Sequence, residues 1–107
     1  MTQSTILKPE ALRSLAFGSI SGTYALVGSI TNPSQLYIIQ NLTNATITFS
    51  QDGVTDHFIL PSMGFITLDI GTNKGTFQTL SVQAGTALYA KGSPGSGSVY
   101  ITTFYMA

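Results

Sequence analysis

The side chains best suited to chemistry gather in one run, Asp52-Gly53-Val54-Thr55-Asp56-His57. Two carboxylates and an imidazole are possible ligands for a hard cation when backbone carbonyls assist. The spacing matches no calcium loop, and a further carboxylate has to come from Asp69 or from another chain. The run is read instead as the solvated tip of a hairpin, because Asp-Gly tolerates the positive φ angles of tight hairpin turns. Nucleophilic hydrolysis asks for a hydroxyl, a histidine and a carboxylate converging on one pocket. His57 is the single histidine, it sits at a strand edge, and no hydroxyl is singled out beside it. Asp52, Asp56 and Asp69 offer a carboxylate pair for glycoside hydrolysis, but a chain this small leaves little space for a substrate cleft. The expectation is a non-enzyme without metal or cofactor.

Two binding patterns stand beside that run. Tyr24, Tyr37, Tyr89, Tyr100 and Tyr105, with six Phe and no Trp, could line a sugar-binding face, with Tyr89, Tyr100 and Tyr105 as its platform. Ordinary strand composition explains them as well, since aromatics favour strands and protein interfaces alike. Asn41-Leu42-Thr43 and Asn44-Ala45-Thr46 match the N-glycosylation acceptor pattern. In a Thr- and Asn-rich chain, chance and the turn preference of Asn account for both.

The elements that position these residues are short strands. Composition sets the frame: 107 residues fit one domain, long enough to fold without staples. The absence of cysteine removes disulfides and thiolate metal sites. Charged residues are 7% of the chain, against about 25% in an ordinary soluble domain. Lys8, Arg13, Lys74 and Lys91 balance Glu10, Asp52, Asp56 and Asp69, for a net charge of zero. Soluble monomers keep a net charge that suppresses association, so a neutral Thr-, Ser- and Tyr-rich surface suggests cover by neighbours. Four scattered cations make no phosphate-binding stripe, which argues against nucleic acid. No apolar run reaches the about 20 residues of a membrane span. The N-terminus reads without a signal peptide.

Residues 1–11 carry no alternation. They are compatible with a helical turn at Pro9–Arg13, but read more simply as an arm that frays or is pinned on a neighbouring subunit by Ile6 and Leu7. Residues 12–107 form the domain. Strands are expected at Leu15–Ile20, with a bulge at Gly18, at Tyr24–Ile30, and from Leu36 to a turn at Asn41–Asn44. They continue at Thr46–Ser50, His57–Leu60, Phe65–Ile70, Phe77–Val82, Ala87–Lys91 and Ser98–Met106. Gly92–Gly97 reads as a flexible surface loop. In the strand from Leu36, apolar residues point to both faces, which marks an interior strand or an outer face that meets a partner. About eight short strands and no convincing amphipathic helix argue an all-β fold, an antiparallel β-sandwich or small barrel; jelly-roll connectivity is one topology they allow, since turns alone do not fix strand order.

Three segments carry a resemblance: LRSLAFGSISGTY, IIQNLTNATITFSQDGVTDHFILPSMGFITLDI and GTALYAKGSPGSGSVYITTFYMA. Across most of residues 12–107 the chain resembles a group of small virion proteins of tailed bacteriophages. The DGVTDH hairpin and the KGSPGSGSVYIT ending are the most specific parts. The likeness is one of turns and texture and transfers no functional residue. It implies a β-sandwich subunit made in the host cytoplasm and repeated around a symmetric virion. The preferred place is the head-to-tail neck or collar; the alternative is capsid decoration. The implied partners are other copies of itself and portal, neck or major capsid proteins. Interface candidates are Ile6, Leu7 and Arg13 within residues 1–14, and Tyr37, Tyr89, Tyr100 and Tyr105 on the strands. A carbohydrate-binding module of a virion appendage is the rival reading.

Overall fold

The computed structural model describes residues 7–32, 34–69 and 85–106. Within them lie nine strands: β1 Leu7–Pro9, β2 Arg13–Ala16, β3 Ala25–Ser29, β4 Ser34–Thr43, β5 Ile47–Ser50, β6 Phe58–Leu60, β7 Phe65–Asp69, β8 Ala87–Gly92 and β9 Gly97–Met106. Ile6 and the strand expected at Phe77–Val82 lie outside the described residues.

The strands form two antiparallel sheets. One has the order β1-β9-β4-β7, with β2 also paired to β9, and the other has the order β3-β8-β5-β6. β1 and β2 share one side of β9, the first against Phe104–Met106 and the second against Ser98–Ile101. The pairs β2–β9, β3–β8, β4–β7 and β5–β6 are nested like one long hairpin folded over itself. That nesting is the jelly-roll connectivity of a β-sandwich. The loop between β5 and β6, which carries the Asp52–His57 run, is the tip of that hairpin.

Alternation explains the packing. Tyr37, Ile39, Asn41 and Thr43 on β4, and Val99, Ile101 and Thr103 on β9, all point between the sheets and are buried. Ile47, Phe49, Leu88 and Ala90 meet them from the second sheet, each 0% exposed. Phe49 and Phe58 are cross-strand partners with stacked rings 5.1 Å apart, a pairing that adds to the area each ring removes from water.

Four sequence expectations are corrected. Leu15–Ile20 is not one bulged strand: β2 ends at Ala16, and Phe17–Ser19 make a 3-10 turn closed by Ile20 N to Phe17 O at 3.1 Å. The turn drops Ile20 into the core at 7% exposure. The turn expected at Asn41–Asn44 is strand as far as Thr43, because the inward polar groups of Asn41 and Thr43 find internal partners. The segment Gly92–Gly97 is shorter as a loop than expected. Gly92 closes β8 and Gly97 opens β9, and the Ser93–Ser96 connection is tied to Asn44 by Gly95 N to Asn44 Oδ1 (2.7 Å) and Asn44 N to Ser96 O (3.3 Å). Gly97 has φ +88, and a Cβ there would stand 2.0 Å from the Leu42 carbonyl oxygen, so only glycine fits.

The fourth concerns the arm. Leu7–Pro9 pair with β9, and Glu10 N donates to Thr103 O at 3.0 Å, so the described part of the arm is a strand of the chain's own sheet. No helical turn forms at Pro9–Arg13. Pro9 sits on an edge strand, where its missing N–H costs no ladder bond.

Candidate functional site

In the β5–β6 loop the three candidate ligands have separate tasks. Asp52 Oδ1 accepts from Val54 N (2.8 Å), Thr55 N (2.7 Å) and Ser50 Oγ (2.7 Å). Those amides, Thr55 first, hold its carboxyl well below the usual carboxylate range. Asp56 turns the other way: it accepts from the Tyr24 hydroxyl and pairs with Lys91 Nζ at 3.0 Å, and both lower its pKa, Tyr24 the more. The Lys91 ammonium also lies 4.6 Å from the centre of the Tyr24 ring, a cation–π distance. His57 Nδ1 accepts from Gln51 N at 2.9 Å. Asp52 therefore shapes a turn, Asp56 ties the loop to β8, and His57 closes its base. The tight hairpin expected from Asp52-Gly53 is a wider loop, because Asp52 gathers two successive amides.

His57 also edges an apolar hollow of about 290 Å³ between the sheets, lined by Tyr37, Ile39, Gln51, Phe58, Ile66 and Leu68. That lining contains no carboxylate, serine or threonine to set beside the imidazole. Among the described residues no group of three or more His, Cys, Asp or Glu is placed to hold a metal ion.

A second polar centre was not visible in the sequence. Glu10 and Arg13 pair across the β1–β2 connection with side chains 5% and 14% exposed. Glu10 also accepts from Thr31 N (3.1 Å), Asn32 N (2.6 Å) and Asn32 Nδ2 (2.8 Å). Arg13 donates to the carbonyls of Ser29 and Ala11 and to Thr103 Oγ1. Its stem fills the place beside Gly28, where an added Cβ would come within 2.7 Å. Burial alone raises the Glu10 pKa, but the Thr31 amide, Arg13 and Asn32 outweigh it and lower it to about 2. Glu10-x-x-Arg13 was the only available signal, and it could not announce a turn some twenty residues away.

Asn41 is a third centre, fully buried. Its Nδ2 donates to Ala45 O (2.9 Å), Leu60 O (2.9 Å) and Pro61 O (3.0 Å), while Oδ1 accepts from Thr43 N (3.0 Å) and Thr43 Oγ1 (2.6 Å). The side chain joins β4 to the β6–β7 turn. It offers no acceptor for a glycan.

The interface candidates scatter. Tyr37 is 3% exposed and belongs to the core; burial pushes its hydroxyl up to about 12, partly opposed by Arg13. It has no surface to give a partner. Arg13 is spent inside the chain, and Leu7 is backbone-paired to Met106. Tyr89 lies on the outside of the second sheet with its ring against Gly53. Tyr100 is on the outside of the first sheet, and Tyr105 lines the hollow beside Glu10 and Arg13. The three do not share a face, so the sugar platform of the rival reading is not assembled.

The broadest surface feature is one that the sequence had hinted at in β4. On the outside of the first sheet, Leu36, Ile38, Gln40 and Leu42 stand beside Phe104, Thr102, Tyr100 and Ser98 of β9, with Phe65 and Thr67 of β7 beyond. Phe65 is 65% exposed and Leu42 38%. These residues are uncharged, and the face gains one acidic position where Asp69 of β7 pairs with Leu36.

No protein-family model matches the chain, and no curated protein matches it either. Among solved structures, it is similar to a chain from the structure described as "Bacillus endospore appendages form a novel family of disulfide-linked pili". The two share 13% identity over 98% of this chain and 90% of that one, with a TM-score of 0.48.

Proposed function

We propose that this protein is a non-enzymatic structural subunit that assembles with copies of itself. The observation that carries this reading is the fate of its charges. Glu10 and Arg13 neutralise each other below the surface, Asp56 and Lys91 pair on the rim, and Asp52 is committed to backbone amides. What faces outward on the first sheet is largely uncharged and in part apolar, with Asp69 at the register position of Leu36, a surface suited to being covered. The rigid jelly-roll beneath it suits a repeated building block, since symmetry multiplies each modest contact.

The finer placement rests on sequence resemblance alone. It puts the subunit in the virion of a tailed bacteriophage, at the head-to-tail neck or collar, with portal or neck proteins as neighbours. Native mass spectrometry over a range of concentrations tests the core of the reading. A discrete closed oligomer is expected; a ring points to the neck and a compact trimer to capsid decoration. A chain that stays monomeric at every concentration overturns self-assembly.

A further inference from the structure

We propose that the hollow between the edge strands β6 and β7 is a binding site for a small neutral molecule with an apolar ring body and one hydrogen-bond acceptor, of the class of an aromatic ketone. The proposal does not depend on self-assembly, and the two readings can fail separately.

The walls follow from the register. β7 ends the first sheet and β6 ends the second. Tyr37 pairs with Leu68 and Ile39 with Ile66, so these four side chains share the inner face of the first sheet, with Phe58 of the second sheet completing the lining. Tyr37 and Ile39 are 3% and 2% exposed and make the floor, while Leu68, 41% exposed, stands at the mouth. The volume is about 290 Å³. An apolar cavity of about 150 Å³ holds a benzene molecule, so this hollow has room for one or two rings.

Two donors give the hollow its polarity. The Tyr37 hydroxyl is buried, and among the described residues it has no hydrogen-bond partner. A buried hydroxyl without a partner is costly, and native folds seldom keep one without a use. At the rim, His57 Nδ1 already accepts from the Gln51 amide, so the neutral imidazole carries its proton on Nε2 and is a donor there. Both groups ask the occupant for an acceptor.

The remaining chemistry narrows the class. The described lining holds no lysine or arginine, so a carboxylate would lose its hydration without gaining a cation. It holds no carboxylate either, which disfavours a bound cation for the same reason. Apolar side chains that this chain exposes, such as Leu12, Phe17, Val54 and Phe65, could fill the space from a neighbouring copy. None of them brings an acceptor to Tyr37. Water would serve the hydroxyl but leave Ile39, Phe58, Ile66 and Leu68 wet. A neutral ring compound with a carbonyl satisfies both the walls and the donors.

The test titrates the full chain with indanone and with indane, which share a skeleton and differ by the carbonyl, and follows both by methyl-resolved NMR. Indanone should shift the methyl signals of Ile39, Ile66 and Leu68 saturably and bind about tenfold tighter than indane. Tyr37→Phe should bring that ratio close to one, and its free form should melt no lower than wild type, because the hydroxyl has no partner to lose. Leu68→Trp, checked for folding by circular dichroism, should block the mouth and abolish both titrations. Equal affinity for the two probes, or a ketone preference that survives Tyr37→Phe, overturns the proposal. So does the absence of saturable shifts at those methyls, or a clearly lower melting temperature for Tyr37→Phe. Native mass spectrometry with indanone at saturation should leave the number of copies unchanged. Dissociation by the ketone would mean that a neighbour's side chain fills the hollow, and would overturn the proposal while self-assembly stands.

Discussion

Glu10 and Arg13 form an ion pair that neither partner can leave without exposing a turn: Glu10 holds the amides of Thr31 and Asn32, and Arg13 holds the Ser29 carbonyl. Together they fasten the β1–β2 connection to the β3–β4 connection and to Thr103 on β9. The pair joins the break between the two edge strands of the first sheet to the crossing that brings the chain from the second sheet into β4.

This pair gives the chain a defined acid sensitivity. Glu10 titrates at about 2 in the fold, against 4.5 for the free group. Its contribution is present in full above 4.5 and is lost as pH falls towards 2. The shift corresponds to about 3 kcal/mol. Glu10→Gln should flatten the stability–pH profile in that window, leaving a smaller slope from Asp52 and Asp56. It should also cost about 3 kcal/mol near neutral pH by stranding Arg13. Urea denaturation at a series of pH values measures both, and an unchanged slope would refute the assignment.

The buried Asn41 amide is a second test of internal polar wiring. Asn41→Leu keeps the branched shape but removes the side-chain donor from the Leu60, Pro61 and Ala45 carbonyls and the acceptor of the Thr43 amide and hydroxyl, while Gly64 N still serves Pro61 and Thr43 Oγ1 still serves Ala45. A loss of about 2–4 kcal/mol is expected, at the high end of single substitutions, since buried unpaired polar groups cost about 1–3 kcal/mol each. Hydrogen exchange should show the β6–β7 turn opening before the rest. Uniform loosening across both sheets would contradict a local role.

Much of this fold was legible because strand alternation and turn residues act locally. The period-2 pattern of β9 needs only the strand's own residues to be seen. What escaped was cooperation between distant segments. Thr43 looked like a turn residue until Asn41 supplied a partner for its hydroxyl, and Tyr37 looked like surface until the second sheet closed over it. The polar centres were hidden for the same reason: a carboxylate with a distant amide as its partner leaves no spacing to read.

Two glycines with the same backbone angle separate strain from collision. Gly97 and Gly85 both have φ +88, but a Cβ at Gly97 meets the Leu42 oxygen, whereas Gly85 has open space. Gly85→Ala should cost only the left-handed conformation, about 1–2 kcal/mol. Gly97→Ala should cost clearly more and disturb the pairing of β9 with β4. Thermal melts of the two variants decide it, and equal losses would mean that the close approach relaxes freely.

The Tyr24–Asp56 pair predicts a delayed phenol titration. Partial burial first, then the Asp56 carboxylate that accepts its hydrogen bond and the more distant Asp52 charge, push the Tyr24 hydroxyl up to about 12. Tyr37 rises to about 12 by burial in the core, against the opposing charge of Arg13. Each raised value stabilises the fold fully below the ordinary phenol value near 10, and that stability is lost as pH climbs towards 12. Following phenolate absorbance together with circular dichroism should show Tyr24 and Tyr37 ionising late. Asp56→Asn keeps a hydrogen-bond acceptor but removes the charge, so Tyr24 should ionise earlier while Tyr37 stays put. If both tyrosines shift together, the change reports global unfolding rather than this pair; if neither shifts, Asp56 does not set the Tyr24 titration.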